Sequence, residues 1–189
     1  MNIIVKPYGG GLCECRPDTT WERENKDLYI PGCVSEVHWS PIIFARVSKA
    51  GKCVSGKFAS RYYDAFGFGA LLYCRVGEEG PLSSCVDHSS LLPFPLYNTV
   101  VMDSTDNIYE VWKDGNMIFR TPDGSESFDY NNLIEEGICK ASQLTSLRIG
   151  DMIAIELKDI SLLASRNGSE TAFKATYCEN DLYDLKIIF

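Results

Sequence analysis

The chain has 189 residues and a formal net charge of -8, with 45% hydrophobic and 23% charged residues. That length suits one domain able to bury about 70% of its unfolded surface without covalent staples, and the composition is that of a globular chain rather than a disordered, fibrous or membrane one. The acidic balance, with no cluster of Lys and Arg, argues against nucleic acid or an anionic membrane as partner, because either would need basic side chains to displace counterions.

Residues 1–7 read as a short buried strand ended by Pro7, too brief for the apolar core of a signal peptide and without a small-residue cleavage site. No apolar run approaches the roughly 18 residues of a membrane span, so the expected location is the cytoplasm. The eight cysteines, scattered at positions 13, 15, 33, 53, 74, 85, 139 and 178, are then expected as reduced thiols. Cys53, Cys74, Cys139 and Cys178 sit among apolar neighbours, where free cysteine packs as a small hydrophobe. Residues 8–26 are rich in Gly, Pro and charge and read as loop with at most one helical turn.

Residues 41–47 form a continuous β-prone run closed by the turn Lys49-Ala50-Gly51-Lys52. Residues 55–65 place Phe58, Ala59, Tyr62 and Tyr63 at helical spacing, with Ser55 as N-cap and Gly67 as stop, and residues 69–76 follow as a second buried strand. Residues 77–90 read as loop, and 91–96, with two prolines, as an irregular edge segment. Residues 107–112 and 116–120 flank Lys113-Asp114-Gly115, where Asp-Gly supplies the positive φ of a tight hairpin. Between 127 and 141 the positions Phe128, Leu133, Ile134, Ile138 and Ala141 mark one helix face, although Gly137 weakens that helix by about 1 kcal/mol relative to Ala. Residues 152–157 and 185–189 close the chain as strands.

His38 and His88 are the only histidines, which limits any scheme that needs imidazole. Asp87-His88-Ser89 contains the residue types of a catalytic triad, but consecutive side chains diverge and cannot relay a proton, and no Gly-x-Ser-x-Gly elbow is present. Cys13, Cys15, Cys33 and His38 could be assembled as a zinc set, yet a one-residue gap is not the usual ligand spacing. Gly9-Gly10-Gly11 and Gly67-Phe68-Gly69 do not lead from a strand into a helix N-terminus, where amides gather on a phosphate, so they read as a flexible loop and a helix-to-strand turn. Trp21, Trp39, Tyr62, Tyr63 and Trp112 are dispersed and read as packing. Glu78-Glu79 and Glu135-Glu136 read as solubility charge, and Asn167-Gly168-Ser169 as a polar turn.

Residues 46–52 (Arg-Val-Ser-Lys-Ala-Gly-Lys), 57–65 (Lys-Phe-Ala-Ser-Arg-Tyr-Tyr-Asp-Ala) and 147–153 (Leu-Arg-Ile-Gly-Asp-Met-Ile), in this order and spacing, resemble the fumarylacetoacetate hydrolase family, especially its small bacterial members. Asp114-Gly115 and the helix beginning near Phe128 fall where that family has its hairpin and following helix, and residues 185–189 match its closing strand. The resemblance runs from about Pro41 onward, leaves residues 1–40 as a divergent N-terminal segment, and implies one mainly β domain with α over residues 1–189: a mixed β-sandwich or roll with two short helices, usually dimeric. It further implies cleavage of carbon-carbon bonds or decarboxylation of keto acids with Mg²⁺ or Mn²⁺ held by a Glu-x-Glu pair and an Asp.

On that placement Ser40 and Ile42 stand at the two Glu positions and Leu71 at the Asp position. The family's Arg is kept as Arg75, but the Asp after it is Val76. The loop that should bring a lysine toward substrate is Cys85-Val86-Asp87-His88, a Thr-Gly-Thr-Pro is replaced by Ile155-Glu156-Leu157-Lys158, and Cys13 and Glu14 are nearest to the lid's His and Glu. The resemblance therefore implies a scaffold whose Mg²⁺ or Mn²⁺ site is lost: a non-catalytic binding or partner protein, forming a homodimer or a heteromer with an intact family member. The rival expectation is a divergent hydrolase or lyase acting on a small keto acid, with Glu36, Asp87, His88 or Glu156 as acid or base. A third is a thiol sensor using Cys13 and Cys15.

Overall fold

The computed structural model describes residues 1–102, 107–121, 129–168 and 170–189. In chain order the elements are β1 (Ile3–Lys6), β2 (Glu14–Arg16), a 3-10 turn (Asp18–Thr20), β3 (Trp21–Glu22), β4 (Leu28–Tyr29), β5 (Val34–Val47), α1 (Gly56–Ala59), β6 (Tyr63–Val76), β7 (Leu82–Ser83), β8 (Ser90–Leu91) and β9 (Tyr97–Asn98). A second 3-10 turn (Thr99–Val101) precedes β10 (Tyr109–Lys113), β11 (Asn116–Thr121), α2 (Tyr130–Leu144), β12 (Met152–Glu156), β13 (Ser161–Ser165), β14 (Thr171–Tyr177) and β15 (Asn180–Ile188). The protein is mainly β with two α-helices, a curled mixed sheet closing into a half-barrel.

One sheet has ten strands, along the path β2-β1-β12-β5-β6-β8-β3 with β13 added to β5 and β7 and β9 to β6; the other has five, β11-β10-β14-β15-β4. The frame is the antiparallel pair β5–β6, 14 residues each. Residues 39–45 of β5 and 65–74 of β6 are buried without a break because both of their faces are covered, so alternation is lost there and a mainly hydrophobic run takes its place. Pro41 lies inside β5 rather than at its start. Its carbonyl accepts from the Leu157 N–H at 2.8 Å, on the side where β12 (paired with Ile42 to Arg46) gives way to β13 (paired with Glu36 to Trp39). The missing proline donor therefore faces a gap between partners and costs no ladder bond.

The helix expected over 55–65 is reduced to the single turn of α1, and Ser55 makes no side-chain cap bond. Gly67 is no helix stop, because it and Gly69 lie in β6. A Cβ on Gly67 would stand 2.6 Å from a Phe44 ring carbon, and one on Gly69 2.1 Å from the Leu91 carbonyl oxygen. These glycines serve close approach of a ring and of the β8 backbone, a requirement that sequence punctuation does not distinguish from a turn. Residues 8–26 likewise hold β2 and β3 around a 3-10 turn rather than loop alone, and β7 interrupts the expected loop over 77–90. Cys53 is exposed at φ +51°, not packed among apolar neighbours.

The Asp114-Gly115 hairpin forms with φ +48° and +78° at its two central residues. Asp129 caps α2, its carboxylate accepting the Asn132 N–H at 2.9 Å; the expected helical residues 127 and 128 lie outside the described residues. The buried face of α2, with Ile134, Gly137, Ile138 and Ala141, covers β12, and Gly137 admits Ile153 and Ile155 at distances of 3.1 and 3.2 Å from a notional Cβ. One apolar core joins both sheets, from Trp39 and Phe68 to Phe173 and Tyr183, and a second fills the opposite face of the large sheet around Ile3, Val5, Ile42, Phe44, Leu71 and Tyr73.

Candidate functional site

The alternation of β-strands places Ser40, Ile42 and Phe44 of β5 and Leu71 and Tyr73 of β6 on one face of the large sheet. Ser40 pairs with Leu71 and Ile42 with Gly69. Ser40, Ile42 and Leu71 are fully buried. The Ser40 hydroxyl donates to the Lys158 carbonyl at 2.8 Å, while Ile42 and Leu71 pack with Ile3, Val5, Met152 and Ala154.

A polar cluster shares this face. Glu156 pairs with Ile42 across β12 and β5, and its carboxylate accepts the Tyr73 hydroxyl at 2.5 Å and the Tyr8 N–H at 3.0 Å. Arg16 enters from β2, opposite Ile3. Its guanidinium lies 4.3 Å from the centre of the Tyr73 ring, and Nη1 donates to the Leu72 carbonyl at 2.9 Å, the Ser89 carbonyl at 3.2 Å and the Ser90 hydroxyl at 3.3 Å. Arg16 Nε and Nη2 are buried and have no hydrogen-bond partner among the described residues. Burial pushes the Glu156 carboxyl above the usual carboxylate range, with Tyr73, the Tyr8 amide and Arg16 opposing it; burial also raises the Tyr73 phenol. Burial and the neighbouring Arg16 cation thus act on this carboxyl in opposite senses, with burial the larger.

This architecture was compared with known proteins. It matches, over 99% of this chain and 92% of the other, a fumarylacetoacetate hydrolase family protein from Yersinia pestis CO92, with a TM-score of 0.71 and 14% identity. It matches the fumarylpyruvate hydrolase of Pseudomonas aeruginosa, solved with Mn²⁺ and pyruvate, over 100% and 90% of the two chains, with a TM-score of 0.73 and 12% identity. The chain has the fumarylacetoacetate hydrolase fold. The maleylpyruvate hydrolase of Sphingobium sp. SYK-6 shares that fold over 100% of this chain and 71% of its own, with a TM-score of 0.70 and 14% identity. No protein-family model matches the chain, and no curated protein matches it in sequence.

Within the fumarylacetoacetate hydrolase fold, Ser40, Ile42 and Leu71 do not suit the divalent cation that the family resemblance implies. Mg²⁺ and Mn²⁺ need several anionic oxygens, whereas this set offers one hydroxyl, already committed to Lys158, and two hydrocarbon side chains. Among the described residues no group of three or more His, Cys, Asp or Glu side chains is placed to hold a metal ion.

The other candidate residues are dispersed. Glu36 accepts from Arg75 Nε at 2.8 Å and lies 2.9 Å from His38 Nε2, and these two partners, Arg75 first, lower its carboxyl. Arg75 is thus occupied at the end of the long strand pair. Asp87 is exposed. His88 turns to Glu22, with Nδ1 2.8 Å from the carboxylate, and Ser89 Oγ donates to the Val86 carbonyl, so residues 87–89 form no triad. None of Glu36, Asp87, His88 and Glu156 is hydrogen-bonded to another. Cys13 and Cys15 are free thiols, both raised mainly by burial, which opposes the thiolate that oxidation needs. Glu136 is more than solubility charge, since it pairs with Lys6 at 2.5 Å.

Arg16, Tyr73 and Glu22 were not among the sequence-derived candidates. Arg16 sits in a segment whose composition signals loop, and only the β1–β2 register carries it onto the site face. Tyr73 looked like one more aromatic of a buried strand. Among the described residues no helix is long and apolar enough to cross a membrane.

Proposed function

We propose that this chain is a non-catalytic form of the fumarylacetoacetate hydrolase fold, a cytoplasmic binding or partner protein without metal-dependent carbon-carbon cleavage. The observation that carries the reading is the full burial of Ser40, Ile42 and Leu71, with the Ser40 hydroxyl committed to the Lys158 carbonyl and Ile42 and Leu71 packed among hydrocarbon side chains. Without the carboxylates there is no Lewis acid to stabilise the enolate that develops as a keto acid is cleaved. Calorimetry with Mn²⁺ and an acylpyruvate hydrolysis assay test it. The expected results are no stoichiometric binding at micromolar Mn²⁺ and no metal-dependent turnover; either one, observed, overturns the reading.

A second reading is supported by the Arg16–Tyr73–Glu156 cluster: a divergent hydrolase or lyase acting on a small keto acid without a metal, with Glu156 as the acid. It requires turnover that is indifferent to chelators and abolished in Glu156→Gln.

A further inference from the structure

Along β6 the side chains of Leu72 and Cys74 point away from the face that carries Leu71 and Tyr73. On that reverse face a cavity of ≈ 210 Å³ lies between the N-terminal segment and the turn at residues 86–89, with Leu72, Leu28, Ile30 and Val86 among its apolar walls and Glu22 and His88 in its polar wall. It is separate from Ser40, Ile42 and Leu71.

The polar wall is built. Glu22 is buried, anchored by β3 pairing with β8, and accepts the Glu24 N–H at 2.6 Å through one oxygen. The other oxygen lies 2.8 Å from Nδ1 of His88. A carboxylate on Nδ1 keeps a proton there and leaves Nε2 as the ring nitrogen available to a third group. The imidazole is exposed, and the backbone of His88 is held at φ +60°, a conformation uncommon for a side-chain-bearing residue and one that collects at functional sites.

Charge and polarity then define the occupant. Glu22, Asp27 and Asp87 border the cavity against one lysine, Lys26, which is itself paired with Glu24; an anionic ligand is disfavoured there. The apolar walls favour a hydrocarbon body, and Nε2 offers one acceptor. We propose that this cavity binds a small neutral aromatic hydroxyl compound of the phenol class, its ring against Leu28, Ile30, Leu72 and Val86 and its O–H donating to Nε2 of His88. The inference goes beyond the reading of the Ser40, Ile42 and Leu71 face and does not depend on it.

The test is a titration of the ¹⁵N-labelled protein with phenol at pH 8, above the ordinary range of imidazole titration, following the two imidazoles. His38, engaged with Glu36, serves as the internal control. The expected result is a saturable shift of His88 Nε2 with His38 unmoved, binding at least tenfold weaker in His88→Ala, several-fold weaker in Glu22→Gln, and weaker for benzoate than for phenol. His88 is exposed, so its replacement leaves the fold intact even if Glu22→Gln does not. An unmoved His88 resonance, equal phenol affinity in His88→Ala, or tighter binding of benzoate overturns the proposal.

Discussion

At Glu156 burial raises the carboxyl while Tyr73, the Tyr8 amide and Arg16 pull it down, and burial is the largest influence. A carboxyl raised in the folded state contributes stability that is complete below its unfolded value, about pH 4.3, and is lost as pH rises through the folded value. Glu156→Gln cannot ionise, so the melting temperature of the wild type should fall relative to that of the variant as pH goes from about 4 to 7; parallel profiles would show that Glu156 titrates normally. Arg16 gives a second residue-scale prediction. Arg16→Met keeps most of the buried volume and removes Nε and Nη2, which have no partner among the described residues, whereas Arg16→Ala also opens a cavity. Urea unfolding should find the Ala variant less stable than the Met variant by about 2 kcal/mol. Glu156 was legible as a candidate because the family resemblance sets Ile155-Glu156-Leu157-Lys158 where a Thr-Gly-Thr-Pro is expected. Arg16 was not, because its burial depends on the pairing of Ile3 with Arg16 and of Leu71 with Ser90.

The β10–β11 hairpin shows where local chemistry decides an element. Asp114 and Gly115 both require positive φ, and the Asp114 carboxylate also accepts the Ala172 N–H at 2.9 Å, tying the turn to β14. Gly115→Val should lower stability by about 1 kcal/mol or more, and unchanged thermal melting would refute the turn. Gly69→Ala tests the opposite case, an element decided by a neighbour: the added Cβ would meet the Leu91 carbonyl oxygen at 2.1 Å. The expected loss is about 2 kcal/mol, read by the same melting experiment. The helix expected over 55–65 is cut to Gly56–Ala59 because Tyr63 and the residues after it gain more as the partner of β5 than they would on an isolated turn. β14 had a legible signal that was not used: Thr171, Phe173, Ala175 and Tyr177 are buried and alternate with more exposed residues, a period of two.

At the scale of the molecule, the proposed self-association follows from the dimeric habit that the family resemblance implies and from apolar side chains left exposed, among them Leu12, Leu144 and Ile149. Sedimentation at micromolar concentration should give a dimer, and a strictly monomeric species would count against it. The sequence by itself determined the globular class, the long apolar strand pair, the Asp-Gly hairpin and the helix that covers β12, because each of these is written in residue type and short-range periodicity. Only the tertiary structure decided that Gly67 and Gly69 are strand residues, that Arg16, Tyr73 and Glu156 meet on one face, and that His88 finds its acid in Glu22 rather than in its neighbour Asp87. Those contacts join residues tens of positions apart, and their partners are selected by sheet register and by which face each strand turns to the core, neither of which is encoded in any one segment.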